Sequence, residues 1–121
     1  MKDRGRNRIA LGQLGESLAL AYLERAGLKV LKQNYRCPKG EMHIVAQDGE
    51  WIVFVEVRTK TSGSMGYAEE SITAKKVQRL RNIAKYYLLE KGYVEWPPLR
   101  FDLIAILYRQ ESEIKWIQGI L

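Results

Sequence analysis

Six side chains have the types and positions needed for metal-assisted chemistry on a phosphodiester. They are three carboxylates, one imidazole and two cations: Glu16, Glu41, Glu56, His43, Arg58 and Lys60. Phosphodiester hydrolysis needs a divalent metal that neutralises charge and lowers the pKa of a water, and a cation that stabilises the developing negative charge. Mg²⁺ is held by one or two carboxylates and keeps several waters. The set has the composition of such a site, but short strands that mix acidic and basic residues are common, so this pattern alone is weak.

The stretch 40–60 is predicted to form a β-hairpin that carries most of these residues. Two apolar runs flank Asp48-Gly49, a dipeptide that favours a tight turn between antiparallel strands. Because side chains alternate across a strand, one face of the first strand is expected to hold Met42, Ile44 and Ala46. A carboxylate such as Glu56 is costly to bury in an apolar strand without a partner. Its candidate partners are the cations on its own face and the imidazole on the neighbouring strand: Arg58, Lys60 and His43.

A first helix is predicted from Ile9 to Ala26, with Gly27 as its C-cap, and residues 1–8 are expected to form a flexible basic arm. Glu16 lies off the main apolar stripe of this helix, one turn from Gly12. From the pattern alone, an exposed helix position is the simpler interpretation of Glu16. The small residues around it also leave room for its carboxylate to face a cleft.

A second helix is predicted to begin at the N-cap Thr73 and to run to about Lys91. Its polar circumference holds five cations and no acidic residue before Leu89: Lys75, Lys76, Arg79, Arg81 and Lys85. An ordinary solvated face mixes the two signs, whereas a face of one sign suits a phosphate backbone. We predict that Lys75, Lys76 and Arg79 bind nucleic acid.

The segment 34–40 is rich in turn formers and is predicted to be a loop. It carries Arg36 and Lys39, which we predict to extend the nucleic-acid surface. A solvated connector between two strands is the alternative interpretation of this segment, and it stays open.

Three further strands complete the predicted architecture. Leu28–Gln33 is predicted to be the first strand, and Glu113–Gln118 a final edge strand. Arg100–Leu107 is apolar on both faces, as in a central strand covered on both sides, and its Asp102 is predicted to have a structural hydrogen-bonding role. The order helix, three strands, helix, then one or two strands predicts an α/β fold with a mixed sheet flanked by helices.

Length and composition predict one globular domain over residues 9–121. The chain has 121 residues, of which 46% are hydrophobic and 28% charged. No run approaches the roughly 20 apolar residues that span a bilayer, and no apolar stretch with a cleavage site follows the basic N-terminus. The single cysteine, Cys37, cannot form an internal disulfide, so a cytoplasmic protein is expected. The net charge of +6 is compatible with nucleic acid as a partner.

The motifs resemble those of the bacterial YraN family of uncharacterised proteins. That family belongs to the PD-(D/E)XK, or restriction-endonuclease-like, superfamily, alongside archaeal Holliday-junction resolvases. The matches occur in order along most of the chain: Gly12-x-x-Gly15-Glu16, Asn34-Tyr35-Arg36, Gly40-Glu41-Met42-His43, Phe54-Val55-Glu56-Val57-Arg58, Lys76 and Arg100-Phe101-Asp102. The resemblance implies an αβββαβ core and a DNA partner. Because the resolvases act as dimers, it also implies a homodimer.

The resemblance also implies roles for individual residues. Glu16 matches the acid of the first helix, Glu56 the metal-binding Glu, and Val57 the residue whose main-chain carbonyl binds Mg²⁺ or Mn²⁺. Two positions depart from the family pattern, because His43 stands where the family has Asp and Arg58 where it has Lys. An imidazole in place of a carboxylate removes one negative charge from the metal site and favours softer metals than Mg²⁺. A guanidinium in place of an amine cannot transfer a proton near pH 7.

These departures make the PD-(D/E)XK site degenerate and leave three hypotheses open. The first is a metal-dependent endonuclease on branched or structured DNA, in which Glu41 supplies a carboxylate ligand and Lys60 the amine. The second is a DNA-binding module that has lost catalysis. The third is a protein-interaction role for an exposed patch formed by three tryptophans: Trp51, Trp96 and Trp116.

Overall fold

A five-stranded mixed sheet with one helix on each face forms the fold in the computed structural model, which describes residues 4–63 and 72–121. The elements are α1 Arg4–Arg25, β1 Lys29–Cys37, β2 Gly40–Asp48, β3 Trp51–Lys60, α2 Ala74–Glu90, β4 Leu99–Leu107 and β5 Glu113–Ile117. The strands follow one another in the order β1-β2-β3-β4-β5, and β3 and β4 form the parallel pair, joined through α2. The predicted αβββαβ core and the edge strand β5 are confirmed. Neither helix in the described stretches is long and apolar enough to cross a membrane.

Two apolar cores lie on opposite faces of the sheet. The core under α1 contains buried residues from the helix and the sheet, among them Ala19, Leu23, Ile44, Val55, Ile104 and Ile106. The core under α2 contains Met42, Val45, Phe54, Leu80, Ile83 and Leu88. Because both faces of β3 and β4 are covered, these two strands are apolar on both sides. The two helices therefore approach the same central strands from opposite sides.

The flexible arm predicted for residues 1–8 is wrong from Arg4 onward, because α1 begins there. Residues 1–3 lie outside the described part of the chain. No proline interrupts the sequence between Arg4 and Ile9, and arginine is a good helix former, so the packed helix continues toward the N-terminus. Arg8 consequently lies on the helix, two turns before Glu16.

The loop predicted over 34–40 is also wrong, because β1 continues to Cys37, which pairs with Gly40 across a two-residue turn. A register shift between Val30 and Lys32 and a positive φ of 50° at Asn34 accommodate the irregular sequence within the strand. Burial of Tyr35 against α2 anchors the segment. Arg36 and Lys39 thus lie at the end of a hairpin.

The predicted alternation of side chains along β2 is wrong at Met42. Ile44 and Ala46 pack under α1, whereas Met42 packs under α2. The register between β2 and β3 runs from the Asp48–Trp51 pair to the Ile44–Val55 pair. The strands separate beyond that point, and the His43 side chain takes up a main-chain hydrogen bond of β3. A gap therefore opens between β2 and β3 at His43.

The close approach of α1 to β3 depends on Gly15. A Cβ at this position would overlap the Thr59 hydroxyl and lie 3.0 Å from Thr59 Cβ, whereas a Cβ at Gly12 would meet nothing within 4 Å. We expect Gly15→Ala to lower the free energy of unfolding by about 1–3 kcal/mol through overpacking. Gly12→Ala, the matched control, is expected to raise it by up to about 1 kcal/mol. Urea denaturation measures both, and equal stabilities for the two variants would contradict the close approach.

Asp102 is fully buried and is the centre of a polar network. Both its oxygens accept from Arg100 Nε, at 3.0 and 3.2 Å, and Oδ2 accepts from Arg100 Nη2 at 3.0 Å. Trp116 Nε1 donates to Oδ2 at 2.9 Å and Gly119 N to Oδ1 at 3.0 Å. Arg100 Nη1 also donates to Asp48 Oδ2 at 3.0 Å. The predicted structural role of Asp102 is confirmed.

Candidate functional site

The gap between β2 and β3 brings three of the predicted site residues together. His43 Nδ1 lies 2.8 Å from Glu56 Oε1. The same nitrogen lies 3.0 Å from the main-chain nitrogen of Val57. Glu56 is only 7% exposed, so its carboxylate depends on these neighbours for compensation.

The Nδ1 atom of His43 cannot satisfy both partners in one protonation state. It donates to Glu56 when it carries a proton and accepts from the Val57 N–H when it carries a lone pair. Burial alone lowers the pKa of His43, but the hydrogen bond and negative charge of Glu56 raise it above its usual value. The imidazole and the carboxylate therefore form an ion pair when the imidazole is protonated.

Two cations, one on β3 and one on α2, help to balance the negative charge of the buried Glu56 carboxylate. Arg79 Nη2 lies 3.7 Å from Glu56 Oε2. Burial alone raises the pKa of Glu56, but the hydrogen bond and charge of His43, with the charges of Arg58 and Arg79, lower it below its usual value. Glu56 is therefore held as a carboxylate, the form that binds metal.

A cleft of about 220 Å³ lies between α1 and β3, next to this gap. On the helix side it is lined by Arg8, Leu11, Gly12 and Glu16, and on the sheet side by His43, Val57 and Thr59. Glu16 is half-buried, and its negative charge acts on His43. The structure thus brings Glu16 to the same place as the hairpin residues, although they are far apart in sequence.

Two side chains at the gap are of types that bind a divalent ion, the carboxylate of Glu56 and the imidazole of His43. At 2.8 Å, His43 Nδ1 and Glu56 Oε1 are bonded to each other, so an ion would have to displace this contact. The N–H and C=O of one residue in an extended strand face the same neighbour, so the Val57 carbonyl is directed toward the gap as its N–H is. Within residues 4–63 and 72–121, no three His, Cys, Asp or Glu side chains form a ready-made metal site. An ion that keeps several waters, such as Mg²⁺ or Mn²⁺, needs fewer protein ligands.

Two of the predicted site residues, Glu41 and Lys60, are exposed, and the charge of Glu41 still acts on His43. Glu41 is exposed and forms an ion pair with Arg36 at 3.4 Å on the β1–β2 hairpin. Lys60 is exposed at the end of β3, beyond the half-buried Arg58. The structure therefore places Glu41 as a partner of Arg36, and its predicted role as a metal ligand stays a prediction.

The basic face of α2 reaches the gap through Arg79. The Arg79 side chain packs over Gly40, where a Cβ would lie 3.4 Å from Arg79 Cδ, and its guanidinium reaches Glu56. Lys75 is exposed and Lys76 half-buried, and both lie one turn before Arg79 on α2. The predicted nucleic-acid residues of this helix are therefore continuous with the gap.

The sequence interpretation missed Arg8, which was assigned to the flexible arm. Arg8, Gly12 and Glu16 are four residues apart and so follow one face of a helix. Extending the predicted helix by one residue, from Ile9 to Arg8, places Arg8 on the same face as Glu16. The three tryptophans do not form one exposed patch, because Trp116 is packed against the α1 core and bonded to Asp102.

Comparison with known proteins places the chain in a family. The family model described as uncharacterised protein family UPF0102 matches residues 15–106, which include the gap. A UPF0102 protein of Desulfitobacterium hafniense (strain DSM 10664 / DCB-2) is 56% identical over 118 residues, 94% of this chain and 98% of that protein. A UPF0102 protein of Moorella thermoacetica is 48% identical over 109 residues, 90% of each chain. One of Pelotomaculum thermopropionicum is 44% identical over 111 residues, 92% of each chain. The chain therefore belongs to the UPF0102 family, which confirms the YraN resemblance carried by its motifs.

Proposed function

We propose that the protein binds DNA and cleaves a phosphodiester bond of branched or structured DNA with a divalent metal ion, Mn²⁺ or Mg²⁺. The observation that carries the proposal is the meeting of His43, Glu56 and the main chain of Val57 in a gap that faces Glu16. A divalent ion there would neutralise phosphate charge and acidify a water. Since one ligand is an imidazole nitrogen, we expect Mn²⁺ to be preferred to Mg²⁺.

The chain's own residues bind and orient the DNA in this proposal. The exposed Lys75 and half-buried Lys76 contact phosphates on one side of the gap. Arg58 lies on the same strand as Glu56 and stabilises negative charge that develops on the phosphate. Glu16 holds or orients a water from the opposite wall of the cleft. A cytoplasmic homodimer would present two such sites to a junction with two strands to be cut.

A binding-only function is the second candidate, and the contacts of Glu56 favour it. Glu56 is already paired with His43 at 2.8 Å and with Arg79 at 3.7 Å. These contacts compensate the carboxylate without a metal, so the site has a stable metal-free state. In that case the basic face of α2 binds DNA and no strand is cut.

Replacement of Glu56 distinguishes the two candidates. We expect the parent protein to nick a four-way DNA junction in Mn²⁺, and Glu56→Gln to lower the nicking rate at least 100-fold, since the ligand charge is lost while the shape is kept. The matched control is Glu50→Gln, an exposed carboxylate at the other end of the same hairpin, which is expected to nick at the parent rate. A gel assay of supercoiled and branched DNA measures the rates.

The same preparations are then tested for DNA binding by fluorescence anisotropy. Binding without nicking by the parent in either metal would establish the binding-only function. Nicking that survives Glu56→Gln would mean that this site does not cut DNA. A parent protein that neither binds nor nicks the junction would contradict both candidates.

A further inference from the structure

The cleft between α1 and β3 is lined by two side chains of opposite charge, Arg8 and Glu16. Arg8 is exposed and Glu16 half-buried, and both line the cleft. Neither makes an ion pair or hydrogen bond with the part of the chain described in residues 4–63 and 72–121. Glu16 faces the imidazole side of the gap, whereas Arg8 lies at the other end of the same helix face.

The spacing along α1 prevents these two charges from neutralising each other. Arg8 and Glu16 are eight residues apart, about 12 Å along the helix axis. Gly12 lies midway between them, and a Cβ there would meet nothing within 4 Å, so open space connects the two charges. An anionic ligand that fills this space pairs with Arg8 at one end, and at the other end it needs a water or a metal ion between itself and the Glu16 carboxylate.

The dimensions of the cleft indicate which form of a polyanion it can accept. Its volume of about 220 Å³ is below the roughly 300–1,000 Å³ of pockets that enclose drug-sized ligands. Part of one extended strand fits this volume, whereas a base-paired duplex does not enter it as a whole. Leu11 provides an apolar surface for a sugar or a base on the wall next to Arg8.

We propose that this cleft binds one unpaired DNA strand and that Arg8 holds a phosphate of that strand further along than the one facing His43. The inference rests on the proposed function and names the substrate form: a strand end, flap or unpaired region. Gly12 is the position that keeps the passage open, and Gly15 keeps α1 close enough to β3 to form its walls. Duplex arms of the same substrate contact the basic face of α2, outside the cleft.

The test compares a fluorescent single-stranded oligothymidylate with a duplex of equal length, in EDTA so that no cleavage occurs. Arg8→Ala is expected to weaken single-strand binding about tenfold and to lower the slope of log K against log salt by about 0.7, one phosphate contact. Arg8→Lys keeps the charge and is expected to restore the slope. Gly12→Leu fills the passage and is expected to weaken single-strand binding at least tenfold, with duplex binding unchanged.

Matched controls distinguish an effect on the cleft from a loss of folding and from a loss of DNA binding elsewhere on the protein. Arg25→Ala removes an exposed arginine from the other end of α1 and is expected to bind both DNAs as the parent does. Gly12→Leu should unfold at a temperature no lower than the parent, because its side chain enters open space. If Arg8→Ala and Gly12→Leu bind the single strand like the parent while Lys75→Ala/Lys76→Ala does not, the cleft inference is overturned and the proposed function stands. A parent that binds neither DNA would overturn both.

Discussion

Replacing Asp102 with alanine is expected to lower the free energy of unfolding by about 3–5 kcal/mol, because it leaves a buried guanidinium without its main partner. Arg100 is mostly buried and makes three of its contacts to Asp102, at 3.0–3.2 Å. Asp48 Oδ2, at 3.0 Å, would be its one remaining carboxylate partner among the contacts described above. Burial alone lowers the pKa of Arg100, but Asp102 and Asp48 raise it in the parent protein. The guanidinium remains charged in the variant because arginine does not lose its proton in proteins.

Two further donors lose their acceptor in the same variant. Trp116 Nε1 and the main-chain nitrogen of Gly119 both donate to Asp102, and they fasten β5 and the residues after it onto the α1 face. A buried donor without an acceptor costs about 1–3 kcal/mol, and because Trp116 is half-buried and Gly119 exposed, water replaces part of what these donors lose. Since a domain of this size has a total stability of about 5–15 kcal/mol, the expected loss is a large fraction of it.

Urea denaturation followed by tryptophan fluorescence measures the effect of Asp102→Ala. Asp102→Asn keeps the side-chain shape and one acceptor oxygen, so it is expected to lose less stability and to remain measurable if the alanine variant does not fold. The control is Glu113→Ala on the neighbouring edge strand β5, whose exposed ion pair with Arg109 at 3.8 Å is worth at most about 1 kcal/mol. An Asp102→Ala protein within 1 kcal/mol of the parent would show that the network contributes little.

The elements that the sequence predicted well are those determined by local signals. Asp48-Gly49 closes the β2–β3 hairpin, with Gly49 at a φ of +61°. The Thr73 side chain accepts from Lys76 N at 3.2 Å and caps α2. The apolar run of β4 lies in the middle of the sheet between β3 and β5. Each of these features depends on a few consecutive residues, so a single sequence contains the information.

The errors arise where contacts distant in sequence decide the local structure. Asn34 reads as a turn residue, yet burial of Tyr35 under α2 holds the segment in the sheet with Asn34 at a positive φ. Met42 packs under α2, whereas Ile44 and Ala46 pack under α1, and the departure from alternation falls beside His43, whose side chain bonds the main chain of β3. The contact of Tyr35 with α2 and the contact of His43 with β3 both join residues distant in sequence, so the local pattern does not predict them.

The candidate site could be predicted as a set of residues more readily than as a set of contacts. The hairpin register placed His43 near Glu56, and the structure has them 2.8 Å apart. The charge pattern of α2 does not reveal which cation turns toward Glu56, since the packing of α2 on the sheet decides that Arg79 does so. Arg8 was missed because the start of a helix is among the least determined features of a sequence.

The double variant His43→Asp/Arg58→Lys is expected to nick structured DNA in Mg²⁺ at least ten times faster than the parent. Restoring the carboxylate adds a hard oxygen ligand beside Glu56, and the lysine restores a group able to transfer a proton. A tenfold gain corresponds to about 1.4 kcal/mol of the activation free energy.

Metal binding by this double variant can be measured without cleavage. Two carboxylates about 3 Å apart repel each other in the absence of metal, so we expect a lower melting temperature in EDTA than for the parent. Saturating Mg²⁺ should raise it more than in the parent, since a ligand at 100 times its Kd stabilises by about 2.7 kcal/mol. The control adds Glu56→Gln to the double variant and should remove both the nicking and the Mg²⁺ shift. A double variant that binds DNA and Mg²⁺ but does not nick would show that more than these two positions separates the site from catalysis, with the pairing of Arg79 to Glu56 as the next contact to break.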